Sequence, residues 1–135
     1  MAITEIQREQ MKIAYADRSA IDWSLDNVLL GSRISPESRA QLIADALRLS
    51  PEGKAGWVEV GTREDFSRHV GRINVPVLIV AGELDRVDPI EVVKSDLIPH
   101  YPLARVHFLP SRGHLLPVEA SQDVANLVAQ FAKSL

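Results

Sequence analysis

With 135 residues, 46% hydrophobic and 24% charged, the chain has the composition of one globular domain, long enough to bury roughly two-thirds of its unfolded surface. A net charge of −3 gives no electrostatic footprint for nucleic acid or an anionic membrane, and no apolar run approaches the roughly 20 residues that span a bilayer. The absence of cysteine excludes disulfides and thiolate chemistry, and MAITEIQREQ lacks the basic start and apolar core of a secretory signal, so the expected compartment is the cytoplasm.

From Thr4 to about Ile73 the pattern is helical throughout. Thr4 and Gln7 form a capping box, and Ile6, Ile13 and Ala14 give a loose apolar stripe behind it. Glu5, Arg8, Glu9 and Lys12 read as a solvated face with i,i+4 pairing. Ser35-Pro36 is an N-cap followed by proline at the first helical position, and Leu42, Ile43, Ala46, Leu47 and Leu49 then share one face. Ser50-Pro51 repeats the start signal. Thr62 is expected to open a short helix carrying Phe66, Val70 and Ile73.

The period changes at Pro76. Val77 to Ala81 is a β-branched apolar block between Pro76 and Gly82, the signature of a strand covered on both faces. Asp88-Pro89 is read as the cap of a helix that carries Ile90, Val93 and Leu97, and Arg105 to Leu109 as a second strand. After the loop PSRGHLLPVE, a final helix from about Gln122 places Val124, Leu127, Val128 and Phe131 on one face. Strand, helix, strand, helix implies two parallel neighbours in an α/β fold, joined by a right-handed crossover.

This order gives Asp85 and His114 a common address. Each lies in the loop after the C-terminal end of a strand, and adjacent parallel strands are about 4.8 Å apart, close enough for the two side chains to meet. An aspartate bonded to one ring nitrogen fixes the tautomer and leaves the other nitrogen as a base. Plainer roles compete. An Asp after Gly is a turn former, Asp88 reads better as an N-cap than as a second acid, and Gly-His in a loop is commonly structural. His100, His107 and His114 recur every seven residues, but they fall in a turn, a strand and a loop, so the spacing does not point to a metal. Trp23 and Trp57 suit core packing, with the lining of an apolar pocket as the alternative.

INVPVLIVAGELDRVDP, then RVHFLPSRGHLLPVEAS, then an amphipathic last helix resembles the C-terminal part of an α/β-hydrolase. The resemblance implies a helical cap-like segment over 1–73 and, over 74–135, the terminal β-α-β-α of that family's parallel sheet. It implies that Asp85 is the triad acid and His114 the triad base, that Gly113 lets the loop turn tightly, and that Glu119 is a structural acid. The implied chemistry is hydrolysis of a small ester, lactone or related substrate, without metal or organic cofactor. The family's nucleophile sits in G-x-S-x-G upstream of the cap. No serine of this chain has glycine at both −2 and +2, and the glycine-rich oxyanion loop is absent too. The expectation is an incomplete fold, inactive by itself. It would be a non-catalytic remnant or interaction module, or one half of a split enzyme, associating with a second copy or with a chain that carries the front strands.

Overall fold

The computed structural model describes residues 3–66, 69 and 75–135. Two compact units emerge: a helical unit, Met1–Asn27 with Ser35–Phe66, and a strand unit, Val28–Ile34 with Ser67–Leu135.

Local chemistry sets the helix starts of the helical unit. α1 (Glu5–Ile13) begins at Thr4, whose hydroxyl accepts from the Gln7 N–H while the Gln7 side chain accepts from the Thr4 N–H. α2 (Arg18–Ser24) is capped by Asp17 and runs on into a π-helical turn, Leu25–Leu29. α3 (Pro36–Arg48) and α4 (Pro51–Glu59) begin at Ser35 and Ser50, each serine accepting from an N–H three residues on, each with proline in the first turn. α1 packs against α4 and α2 against α3, with Ile21, Leu25, Ile43 and Val58 buried.

Several expectations for this unit need correction. The face of α1 is not uniformly solvated. Arg8 is buried, and its guanidinium donates to the Thr62 hydroxyl, the Thr62 carbonyl and Glu5. The ion pairs within α1, Glu5–Arg8 and Glu9–Lys12, are spaced i,i+3 rather than i,i+4. Leu47 and Leu49 are exposed, because Ile43 lies at the centre of the inward stripe and Leu49 already caps the helix. Thr62 opens no helix: it sits in a single 3-10 turn, Gly61–Arg63, followed by extended backbone at Glu64. Val70, Ile73 and the expected boundary near Asn74 lie outside the described residues.

In the strand unit, β1 (Leu78–Gly82) and β2 (Arg105–Leu109) pair in parallel, with Ile79 opposite Val106 and Gly82 opposite Leu109. The sheet alternates as a pleat must. Ile79 and Ala81, in register with Val106 and Phe108, point to the face packed by Val93 and Ile98 of the crossover. That crossover is α5 (Ile90–Val92), which widens into a π-helical turn, Val93–Leu97, and closes on a 3-10 turn, Ile98–His100. After β2 come a four-residue helix, α6 (Leu116–Glu119), and the last helix, α7 (Ser121–Lys133). The apolar stripe of α7 is only half-covered: Val124, Leu127 and Phe131 are partly buried and Val128 is exposed. Among the described residues, β1 has one strand neighbour, β2.

Candidate functional site at the strand ends

Both strands stop at the same level, and backbone hydrogen bonds carry that alignment into the loops beyond. The Glu83 N–H donates to the Leu109 carbonyl and the Leu84 N–H to Arg112, tying the loop after β1 to the loop after β2. Gly82 is required by this closeness. A Cβ there would lie 2.2 Å from the Gly113 carbonyl oxygen and 2.5 Å from that of Arg112, distances no side chain tolerates.

The paired loops bring Asp85 and His114 together. Asp85 Oδ2 is 2.9 Å from His114 Nδ1, while Asp85 Oδ1 accepts from the N–H groups of Val87 and Asp88 at 2.8 and 3.0 Å. An ionised carboxylate can only accept, so Nδ1 carries a proton, and in the neutral ring Nε2 keeps its lone pair. The burial is unequal: the Asp85 side chain is 8% exposed and that of His114 34%. The acid is fixed from three directions; the ring keeps an open side.

Asp88 is not the helix cap expected from the sequence. Pro89 occupies the cap position of α5 with no side-chain hydrogen bond. The Asp88 carboxylate lies instead 3.9 Å from His114 Nδ1, largely in solvent. The ligand atoms of Asp85, Asp88 and His114 fall within 4.8 Å of one another and are, among the described residues, the group that could approach a cation. Asp85 already has both oxygens engaged, which suits it to orienting an imidazole more than to coordination. His100 and His107 lie elsewhere, in the 3-10 turn after the crossover and in mid-β2.

Beneath the histidine loop sits a second, buried carboxylate. Glu119, the last residue of α6, accepts from the N–H of Gly31, of Ser32, of Gly113 and of Leu115, and from the Ser32 hydroxyl, at 2.8 to 3.3 Å. The Leu29 carbonyl accepts from the His114 N–H at 2.8 Å. Gly113 does not supply the turn it was expected to supply. The positive φ of this loop belongs to Ser111, at 57°, while Gly113 is needed because a Cβ would meet the Gly31 nitrogen at 2.3 Å and the Leu29 carbonyl oxygen at 2.6 Å.

The strap 29–32 is what the sequence reading missed. The signal available was a glycine followed by serine, LLGS, inside a half otherwise read as helix. Trp23 and Trp57, expected to pack, are 62% and 59% exposed.

Comparison with known proteins places the fold. No family model matches the chain. An AB hydrolase superfamily protein of Bacillus subtilis, YisY, is 25% identical over 134 residues, which cover 93% of this chain and 47% of that protein. A putative non-heme chloroperoxidase of Synechocystis is 30% identical over 112 residues, 78% of this chain and 38% of its own. The crystal structure of a bromoperoxidase from Bacillus anthracis superposes with a TM-score of 0.82 at 22% identity, over 98% of this chain and 50% of that one. The chain belongs to the α/β-hydrolase superfamily. An esterase from Exiguobacterium antarcticum shares the fold at a TM-score of 0.80 and 15% identity, again over 97% of this α/β-hydrolase chain and 49% of the esterase. The chain spans less than half the length of the curated relatives it matches, between 38 and 47%.

Proposed function

We propose that this chain supplies the acid–base half of a hydrolase site, with Asp85 as the acid that orients His114 and His114 as the general base. The observation that carries the reading is the 2.9 Å contact between His114 Nδ1 and a buried Asp85 whose other oxygen is held by two backbone N–H groups. In the reaction, Nε2 would take the proton of a serine hydroxyl as its oxygen attacks the substrate carbonyl. It would return that proton to the leaving alcohol, then repeat both transfers with water to release the acid. The substrate class is a small ester, lactone or related acyl compound, and no cofactor enters these steps.

The nucleophile and the oxyanion donors would come from the family's front strands. The stretch shared with this chain is 47% of one curated relative and 38% of another, and β1 has β2 as its one strand neighbour among the described residues, which leaves its second edge without a paired strand. We assign that edge to a segment carrying those front strands. Sedimentation at micromolar concentration checks the need for a partner: the expected result is association or poor stability of the chain alone, and a monodisperse, cooperatively unfolding monomer contradicts it.

A serine-directed phosphonate probe tests the chemistry. The chain alone should not be labelled, because no serine here occupies an elbow between two glycines. Grafted behind the front half of the Bacillus subtilis relative, it should support labelling of the front half's serine, and His114→Ala should abolish that labelling. Labelling of a serine of this chain would refute the assignment. The second reading, a fold kept for interaction after its chemistry was lost, rests on the same absent elbow, and a folded but unreactive graft would favour it.

A further inference from the structure

We propose that Glu119 and the strap 29–32 form a positioning clamp for His114, an inference that rests on the reading of His114 as the base. The imidazole stands on a loop whose backbone has few supports of its own. Strand pairing ends at Leu109, and from Ser111 to Leu115 the chain runs without regular secondary structure. The loop after β1 ties its first half, through Leu84 to Arg112 and Glu83 to Ser111, and two further kinds of bond hold the half around His114. The His114 N–H donates to the Leu29 carbonyl of the strap, and the N–H groups of its neighbours Gly113 and Leu115 donate to Glu119. Glu119 then reaches across to the strap itself through the N–H of Gly31, the N–H of Ser32 and the Ser32 hydroxyl. One carboxylate therefore joins two stretches of chain about 80 residues apart, and the histidine sits between the points it grips.

Steric closeness makes the clamp rigid. A Cβ on Gly31 would lie 2.5 Å from the Gly113 nitrogen, and one on Gly113 would lie 2.3 Å from the Gly31 nitrogen, so the two backbones touch directly. Neither can slide without breaking bonds to the same anion. Glu119 has no reach to the imidazole through any hydrogen bond it makes; it acts through the backbone on either side of the ring. That defines a positioning residue. The same geometry makes the strap a lever: a displacement of Leu29 to Ser32 must move the His114 N–H and with it the distance from Nδ1 to Asp85.

Proton NMR of the whole chain provides a readout that fold stability alone does not move. The wild type should show a downfield Nδ1–H resonance of His114, absent in Asp85→Asn. Its absence in the wild type would overturn the reading of the pair, and with it the clamp. Glu119→Gln keeps the volume but turns an N–H₂ toward backbone donors. It should speed exchange of the Nδ1–H with water by about tenfold or more, the equivalent of losing one or more charged hydrogen bonds. Ser32→Ala removes only one of the donors and, if Glu119→Gln does not fold, decides the matter by an acceleration of about threefold. Val93→Ala, in the core on the other side of β1, should lower the thermal midpoint while leaving that exchange rate unchanged. Unaltered exchange in folded Glu119→Gln, or in Ser32→Ala where Glu119→Gln does not fold, would overturn the clamp while leaving the Asp85–His114 pair intact.

Discussion

The helical unit and the ends of the two strands solve the same problem, holding polar groups in place, in opposite ways. In the helical unit most ion pairs, the one from buried Arg8 to Glu5 aside, lie at the surface: Arg39 clasps Asp22 and Asp26 while 28% exposed, Arg63 reaches Glu5, and Lys12 reaches Glu59. At the strand ends the carboxylates of Asp85 and Glu119 are withdrawn from water, and backbone N–H groups hold one oxygen of Asp85 and both of Glu119, while the other Asp85 oxygen meets the His114 ring. Surface pairs of the first kind contribute little and can be exchanged, whereas a buried anion stripped of its donors is costly. The difference separates a scaffold from a site.

The largest expected effect comes from adding one carbon where the two loops touch. Gly113→Ala places its Cβ against the backbone of Gly31, Leu29 and Leu30 at 2.3 to 2.8 Å. Backbone cannot move aside as a side chain would, so urea unfolding should show a loss of about 3 kcal/mol or outright failure to fold. A loss below about 0.5 kcal/mol, the ordinary range of a surface substitution, would mean that the strand ends are no tighter than the rest.

A smaller change tests the two acids beside the histidine. Asp85→Asn retains an oxygen for the Val87 and Asp88 N–H groups but presents an N–H₂ to the ring, so the imidazole must move its proton to Nε2. Nitrogen-15 chemical shifts of His114 should report the changed tautomer, with a stability loss of about 1 to 2 kcal/mol. Asp88→Asn, at an exposed carboxylate 3.9 Å away, should leave the tautomer as it is. Equal responses to both substitutions would erase the distinction drawn between them.

In the helical unit, Arg39→Ala removes the bonds from the start of α3 to Asp22 of α2 and to Asp26 of the turn after it, yet the guanidinium and both carboxylates are solvated. The loss should be about 1 kcal/mol and should shrink in high salt. Acid is the mildest probe. Hydrogen bonds from Arg63 and Arg39 hold the carboxyls of Glu5 and Asp26 below the usual carboxylate range, and Lys12 does the same for Glu59. Depressed folded-state values mean that the stability they contribute is present above the unfolded values, near pH 4, and is lost as pH falls through the lower folded ones. Thermal midpoints measured at falling pH should therefore decline gently below about pH 4, less so in salt.

Much of this was legible in the sequence because it is local. Thr4, Ser35 and Ser50 cap helices by bonding N–H groups three residues away, so a short window contains both donor and acceptor. Asp85 and His114 are 29 residues apart, but the order strand, helix, strand fixes where each loop must emerge, and topology did the work of proximity. The strap was illegible for the opposite reason. Gly31 and Glu119 are 88 positions apart, and nothing near Gly31 announces that its N–H needs an anion. Asp88 was misread because an Asp-Pro pair looks the same whether the carboxylate turns to the helix or to a neighbouring ring. Trp23 and Trp57 were misread because burial depends on what else packs there, which residue type alone does not disclose.

Turnover of a small aryl ester by the graft that joins this chain to the front half of the Bacillus subtilis relative tests the Asp85–His114 pair most directly. The chain alone should show no rate above buffer. The graft should hydrolyse the ester, with kcat reduced by about a thousandfold or more in His114→Ala and reduced in Asp85→Asn as the imidazole loses its tautomer. A folded graft that turns over equally well with alanine at position 114, or a chain that hydrolyses the ester unaided through one of its own serines, would contradict the claim that Asp85 and His114 are the acid–base half of the site.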